Sequence, residues 1–260
     1  MASGGTHKLR LSVPTASVTE GWLSIMTGQD SRTNVRSSMT ALITPFHNGE
    51  VDWARLEVLV DRQIEGGTDW LVPLGTTGET PTLTEAEREK VLETVIARAA
   101  GHCPVMAGTG SNSTAATIEN TRRAASMGVD AALVVAPYYN RPTQEGLYRH
   151  FAAVAQAVDL PIVLYNVPAR TGVTISNDTI VRLREGFANI VALKDATGNV
   201  EAMTDLSVRC DIAVLSGDDT LTWPLMALGV MGVVSVIANL HPVLMKSLVS
   251  AAFDGDMAAA

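Results

Sequence analysis

Asn189-Ile190-Val191-Ala192-Leu193-Lys194-Asp195 sets a lysine at the end of a short apolar run. Residues 190–193 are continuously apolar, which fits a strand covered on both faces, as in a parallel sheet flanked by helices. Such a setting leaves little water for an ammonium, and desolvation moves a lysine toward its neutral amine. A neutral amine at a strand end can attack a carbonyl and form a Schiff base. From this segment alone, a lysine that emerges into solvent and pairs with Asp195 is an equal alternative.

Outward from that run, one pattern repeats from about Val35: a short apolar stretch, a polar loop, then a helical segment. The apolar stretches are Ala41–Ile43, Trp70–Leu74, Val105–Ala107, Ala131–Ala136, Ile162–Leu164, Ile190–Leu193, Ile212–Leu215 and Val233–Ile237. Helices are expected between them, for example over 84–100 and 113–127. Thr84 with Glu87 forms a capping box, Gly101 is a stop, Ser113 caps the next helix, and Ser176 or Asn177 opens the one after strand five. Strands alternating with helices pair in parallel through right-handed crossovers. Eight units predict an α/β fold, a closed (β/α)8 TIM barrel over residues 35–260. An open doubly wound sheet is the alternative. Its nucleotide fingerprint is missing, because Ser113 follows Gly108-Thr109-Gly110 where a third glycine is needed.

The bulk numbers agree with one globular unit. The chain has 260 residues, 47% hydrophobic and 18% charged, enough for a single large core. Against 19 Lys+Arg stand 27 Asp+Glu, a net charge of -8, which argues against a nucleic-acid partner. No stretch is long and apolar enough for a membrane span. The two cysteines, Cys103 and Cys210, have neither metal nor disulfide spacing, and point to a reducing, cytoplasmic setting. Residues 1–34 lack sustained periodicity and read as a disordered N-terminal extension, or as sequence upstream of a true start at Met26 or Met39. Their Ser, Thr and Arg content weakly resembles an organelle transit peptide, and no secretory leader is evident.

In a barrel the C-terminal strand ends share one mouth. Read in order they bring together Gly75-Thr-Thr-Gly-Glu79, Pro137-Tyr-Tyr-Asn-Arg-Pro142, Tyr165-Asn-Val-Pro-Ala-Arg-Thr-Gly172, Lys194-Asp195 and Ser216-Gly-Asp-Asp219. The backbone N–H groups of the first turn can cradle a carboxylate, although an ordinary strand-to-helix turn looks similar. Tyr139 and Tyr165 can relay protons through a threonine hydroxyl, or simply pack. Arg170 offers a fork for a substrate carboxylate, or a surface ion pair. Asp218-Asp219 lacks the His or Glu partner that a metal site needs, so no metal is expected.

The set GTTGE, PYYNRP, YNVPARTG, ALKDATGN and LSGDD, in this order and spacing, resembles the dihydrodipicolinate synthase family of the N-acetylneuraminate lyase superfamily. The likeness runs from about Val35 to the end of the sequence. It implies a lyase of lysine and diaminopimelate biosynthesis that condenses pyruvate with L-aspartate 4-semialdehyde and works as a homotetramer, a dimer of dimers. It implies no cofactor beyond a covalent pyruvate imine. On the matching positions Lys194 is the imine lysine, Thr77 and Tyr165 belong to the proton relay, and Tyr139 completes the relay of a neighbouring subunit. The amides of Thr76 and Thr77 hold the pyruvate carboxylate, Gly217 and Val234 line that pocket, and Arg170 binds the aldehyde substrate's carboxylate. The family also continues into a helical C-terminal region, which is absent from these residues. Lysine-inhibited relatives carry an acid and histidines where this sequence has Ala116, Glu85 and Arg88. Asn112 and Tyr138 are kept, and weak feedback control is expected. Two other readings are a different pyruvate-dependent aldolase acting on sugar acids, which Arg170 disfavours, and a catalytically silent barrel, which the intact Lys194, Tyr165 and Thr77 disfavour.

Overall fold

The structure, a computed structural model, describes residues 37–256 and 258–260. The expected extension, residues 1–34, lies outside the described residues. Among them, eight parallel strands alternate with helices: β1 (Ser37–Ala41), β2 (Trp70–Val72), β3 (Met106–Gly108), β4 (Ala131–Val135), β5 (Ile162–Asn166), β6 (Ile190–Asp195), β7 (Ala213–Ser216) and β8 (Gly232–Ser235). The helices following them are α1 (Trp53–Glu65), α2 (Glu85–Ala99), α3 (Thr114–Met127), α4 (Gln144–Ala157), α5 (Asn177–Gly186), α6 (Val200–Arg209), α7 (Thr222–Met226) and α8 (Pro242–Asp254). The hydrogen-bonded order is β2-β1-β8-β7-β6-β5-β4-β3. A parallel bridge between Leu71 and Val105 joins the two ends, reinforced by Leu71 N donating to Pro104 O at 3.1 Å and Gly108 N to Pro73 O at 2.9 Å. The protein is a (β/α)8 TIM barrel. Its seam between β2 and β3 runs so close that a Cβ on Gly108 would stand 2.0 Å from the Leu74 carbonyl oxygen, so only glycine fits there.

Alternation along the strands builds two cores. Met39, Trp70, Met106, Leu133, Val163 and Ala192 fill the barrel interior. Their neighbours Leu71, Val105, Val134, Leu164 and Leu193 face outward, against helix residues such as Val95, Phe151 and Leu183. The continuous apolar run 190–193 follows from this double burial.

The helix signals match the caps: Thr84 and Glu87 form the reciprocal box, Ser113 accepts from Ala116 N, and Ser176 accepts from Thr179 N. The first strand corrects the sequence reading. It occupies Ser37–Ala41, where a strand was expected over 41–43. Its polar residues hid it: Ser38 N donates to Asp69 Oδ2 at 2.8 Å and Thr40 Oγ1 to Gln63 Oε1 at 2.8 Å, while the buried Ser38 Oγ has no partner among the described residues. At the other end of the chain β8 closes at Ser235, and Val236 and Ile237, expected within the strand, are exposed.

Candidate active site

The site grows from adjacent ends of β5 and β6. In register, Tyr165 stands beside Lys194 and Asn166 beside Asp195. Inward residues on β6 alternate, so Lys194 follows Ala192 toward the interior and is 4% exposed. Its Nζ lies 4.3 Å from the centroid of the Tyr165 ring, an amine held over an aromatic face. Burial pushes the amine down to about 8 from its ordinary 10.5; the Asp219 carboxylate opposes that shift and the Arg170 guanidinium adds to it. The solvent-emerging alternative is therefore excluded. Asp195 turns away from the lysine. Its Oδ1 accepts from Thr197 N at 2.9 Å and Thr197 Oγ1 at 2.6 Å, and Oδ2 lies 3.5 Å from Asn166 Nδ2.

Tyr165 is buried, and burial raises its phenol above the usual range, while a hydrogen bond with Thr76 and the charge of Arg170 pull the other way. It is thus Thr76 rather than Thr77 whose hydroxyl meets Tyr165. Both threonines sit in a one-turn 3-10 helix, Thr76–Gly78, whose N-terminus has no capping side chain. Its first amides lack intrahelical partners. Ahead of the turn, Leu74 is buried at φ 58°, a left-handed conformation that non-glycine residues seldom adopt.

Arg170 stands on the one-turn helix Pro168–Thr171 after β5. Among the described residues its guanidinium forms no ion pair. The loop behind it is tied down by Asn166, which accepts from Ile175 N at 3.0 Å and donates to Ile175 O at 3.2 Å. Sequence reasoning missed this clamp, although Asn166 directly follows Tyr165 at a strand end. Tyr139 is 90% exposed at φ 73°.

A cavity of about 590 Å³ opens at the mouth, walled by Thr76, Tyr139, Tyr165 and Arg170, and extends past Gly108 to Glu85 and Ala116 between α2 and α3. Lys194, Thr77, Gly217 and Val234 are not on that wall. Gly217 instead packs on the lysine: a Cβ there would lie 3.1 Å from Lys194 Cε. Val234 is fully buried in β8. Among the described residues no three His, Cys, Asp or Glu side chains converge, and no helix is long and apolar enough to cross a membrane.

Residues 34–260 match the model of the dihydrodipicolinate synthetase family. The 4-hydroxy-tetrahydrodipicolinate synthase of Pelobacter propionicus is 52% identical over 224 residues, which are 85% of this chain and 77% of the relative. The crystal structure of dihydrodipicolinate synthase from Aquifex aeolicus is similar at a TM-score of 0.84 and 50% identity, over 86% of this chain and 77% of that one. The enzyme of Acinetobacter baumannii, solved complexed with pyruvate, reaches a TM-score of 0.83 at 49% identity over 85% and 77%.

Proposed function

The chain belongs to the dihydrodipicolinate synthetase family and is an aldolase-type lyase with 4-hydroxy-tetrahydrodipicolinate synthase activity, and on that footing we propose that Lys194 carries the reaction by forming an imine with pyruvate. The observation that carries this reading is the buried amine at the end of β6, pushed down to about 8 and held over Tyr165. A lysine in that state supplies neutral amine near neutral pH, and attack on the ketone carbon is then favoured. The pyruvate complex of the Acinetobacter baumannii relative supports the choice of first substrate.

The steps follow from ordinary chemistry. The Lys194 nitrogen adds to the pyruvate ketone carbon, and water leaves to give a protonated imine. That cation draws electrons as a methyl proton departs, producing an enamine. The enamine carbon adds to the aldehyde of L-aspartate 4-semialdehyde, the substrate's amine closes the ring, and transimination frees Lys194. The imine is itself the electron sink, so the chemistry calls for no metal or organic cofactor. Thr76 and Tyr165 move protons between these centres, with Tyr139 reaching a neighbouring subunit's site in a homo-oligomer. The 90% exposure of Tyr139 supports that placement. The uncapped turn at Thr76 and Thr77 receives the pyruvate carboxylate, and Arg170, without an ion pair among the described residues, receives that of the aldehyde. The two cysteines are free, in keeping with a reducing cytoplasmic setting.

A steady-state assay with both substrates, coupled to reduction of the product, tests the reading. Turnover that depends on both, and that vanishes in Lys194→Ala, is expected. Turnover with other aldehydes but not with aspartate semialdehyde would overturn the substrate assignment.

A further inference from the structure

Two strand-end loops meet at the barrel mouth. The one between β4 and α4, residues 136–143, carries Tyr139, and the one between β5 and α5, residues 167–176, carries Arg170. They touch at Gly172, which ends the one-turn helix under Arg170 with φ 72°. A Cβ there would stand 2.6 Å from Arg141 Nε and 3.2 Å from both Cζ and Nη2. The Arg141 guanidinium therefore lies against the glycine, in space that any side chain at 172 would take.

The first loop is shaped to put it there. Arg141 has φ 44° and Tyr139 φ 73°, left-handed conformations that cost free energy in non-glycine residues. Pro142 follows, and the residue before a proline is normally extended. Asn140 between them is anchored, its Nδ2 donating to Asn112 O at 3.1 Å. Just beyond, Gln144 reaches the second loop: Nε2 donates to Thr174 O at 2.8 Å and Oε1 accepts from Ser176 N at 3.0 Å. Asn166 holds that same stretch from the barrel side through Ile175. The turn under Arg170 has no such help. Among the described residues its hydrogen bonds stay within 167–173, and the Arg141 guanidinium is what braces it from the neighbouring loop. Among the same residues Arg141 forms no ion pair, so its hold is one of shape.

We propose that Arg141 is a positioning residue: its guanidinium, seated on Gly172, locks the turn that carries Arg170 to the loop that carries Tyr139. This rests on the reading of Arg170 as the group that receives the aldehyde's carboxylate. A helix of 4 residues is too short to keep its own orientation in water, yet a bidentate carboxylate contact needs its guanidinium at a fixed angle. Glycine leaves a flat surface, and a planar, weakly hydrated guanidinium suits it. A lysine ammonium would keep the charge and lose the fit. Arg141 is absent from the cavity wall, so it acts through Arg170 and not on the substrate.

Hydrogen–deuterium exchange of the full chain reads the seat without substrate. The amides of Arg170, Thr171 and Gly172 donate to Val167 O and Pro168 O. Their exchange is expected to quicken about tenfold in Arg141→Ala, as the turn opens more often. Arg141→Lys is expected to exchange like Arg141→Ala. Arg149→Ala, which removes an exposed ion-paired arginine on α4, is expected to exchange like wild type. Steady-state kinetics read the consequence. Arg141→Ala lowers kcat/KM for aspartate semialdehyde about tenfold, chiefly through KM, with pyruvate trapping on Lys194 unchanged. In an Arg170→Ala background the same substitution has no further effect, because the group it positions is gone. Native mass spectrometry shows the wild-type oligomer in each variant. Unchanged exchange at 170–172 in Arg141→Ala would overturn the proposal. So would recovery in Arg141→Lys, a full loss repeated in the Arg170→Ala background, or a loss that tracks dissociation of the oligomer. Quickened exchange together with wild-type kinetics in Arg170→Ala would sink the substrate role of Arg170 and leave the seat standing. Unchanged exchange with impaired Arg170→Ala would do the reverse.

Discussion

Gly217→Ala places a methyl group where the structure has none to spare. The new Cβ would stand 2.9 Å from Ala196 Cβ, 3.1 Å from the Asp195 carbonyl oxygen and 3.1 Å from Lys194 Cε. Carbon pairs rest at about 3.5–4.0 Å, so the first contact is short by roughly 0.6–1.1 Å and the lysine contact by roughly 0.4–0.9 Å. Neither neighbour yields freely. Gly217 N donates to Asp195 O at 2.7 Å, which ties β7 to β6 at this point, and the lysine stem is buried beside Tyr165. Overpacking of this kind costs about 1–3 kcal/mol, and for a chain of this size each kcal/mol lowers the melting temperature by about 2–4 °C. The same push displaces Nζ by up to about an ångström, enough to slow a positioned reaction on the order of a hundredfold. Differential scanning calorimetry and single-turnover imine formation with pyruvate measure the two effects. A variant with wild-type melting and a wild-type imine rate would refute the claim that the β7 end is packed on the lysine.

Arg170→Ala is expected to spare pyruvate imine formation and to lower kcat/KM for aspartate semialdehyde about ten- to hundred-fold, since a charged carboxylate contact is worth about 1.5–3 kcal/mol; loss of imine formation as well would assign Arg170 to the first substrate or to the fold. Acid sensitivity is expected from His150, which is 4% exposed, bonded through Nδ1 to Thr114 Oγ1, and has its other ring nitrogen buried without a partner among the described residues. Burial lowers its pKa from 6.5 to about 4. The unfolded chain therefore binds the extra proton first, so this contribution is intact above about pH 6.5 and is lost as pH falls toward 4. Between pH 7 and pH 5 the loss is about 2 kcal/mol, and urea melts of His150→Gln should show that much less pH dependence; an unchanged dependence would contradict it. Lysine is expected to inhibit only at millimolar concentration or above, because Ala116 brings no charge to the cavity and Glu85 is engaged by Arg123; half-maximal inhibition below that range would refute this.

How much of this was legible in the sequence differs by element. The β6 run announced itself because both faces are covered, so every residue from 190 to 193 had to be apolar. The caps at Thr84, Ser113 and Ser176 were legible because each needs one hydroxyl at one offset. β1 was not, since Ser38 and Thr40 are buried against partners at Asp69 and Gln63, which no local window contains. At the site, Lys194, Tyr165 and Arg170 could be read from strand ends and motifs. The choice between Thr76 and Thr77 could not, because it depends on how the 3-10 turn rotates its hydroxyls toward β5. Asp219 read as half of an unlikely metal pair; its bonds to the Val236 and Ile237 amides exist only once the ends of β7 and β8 lie side by side.

Borohydride reduction with pyruvate, followed by peptide mapping, tests the central claim most directly. The mass of reduced pyruvate on the peptide containing Lys194, with none on Lys90 or Lys246, is the predicted result. Reduced pyruvate on another lysine of the folded protein, or on none, would contradict it.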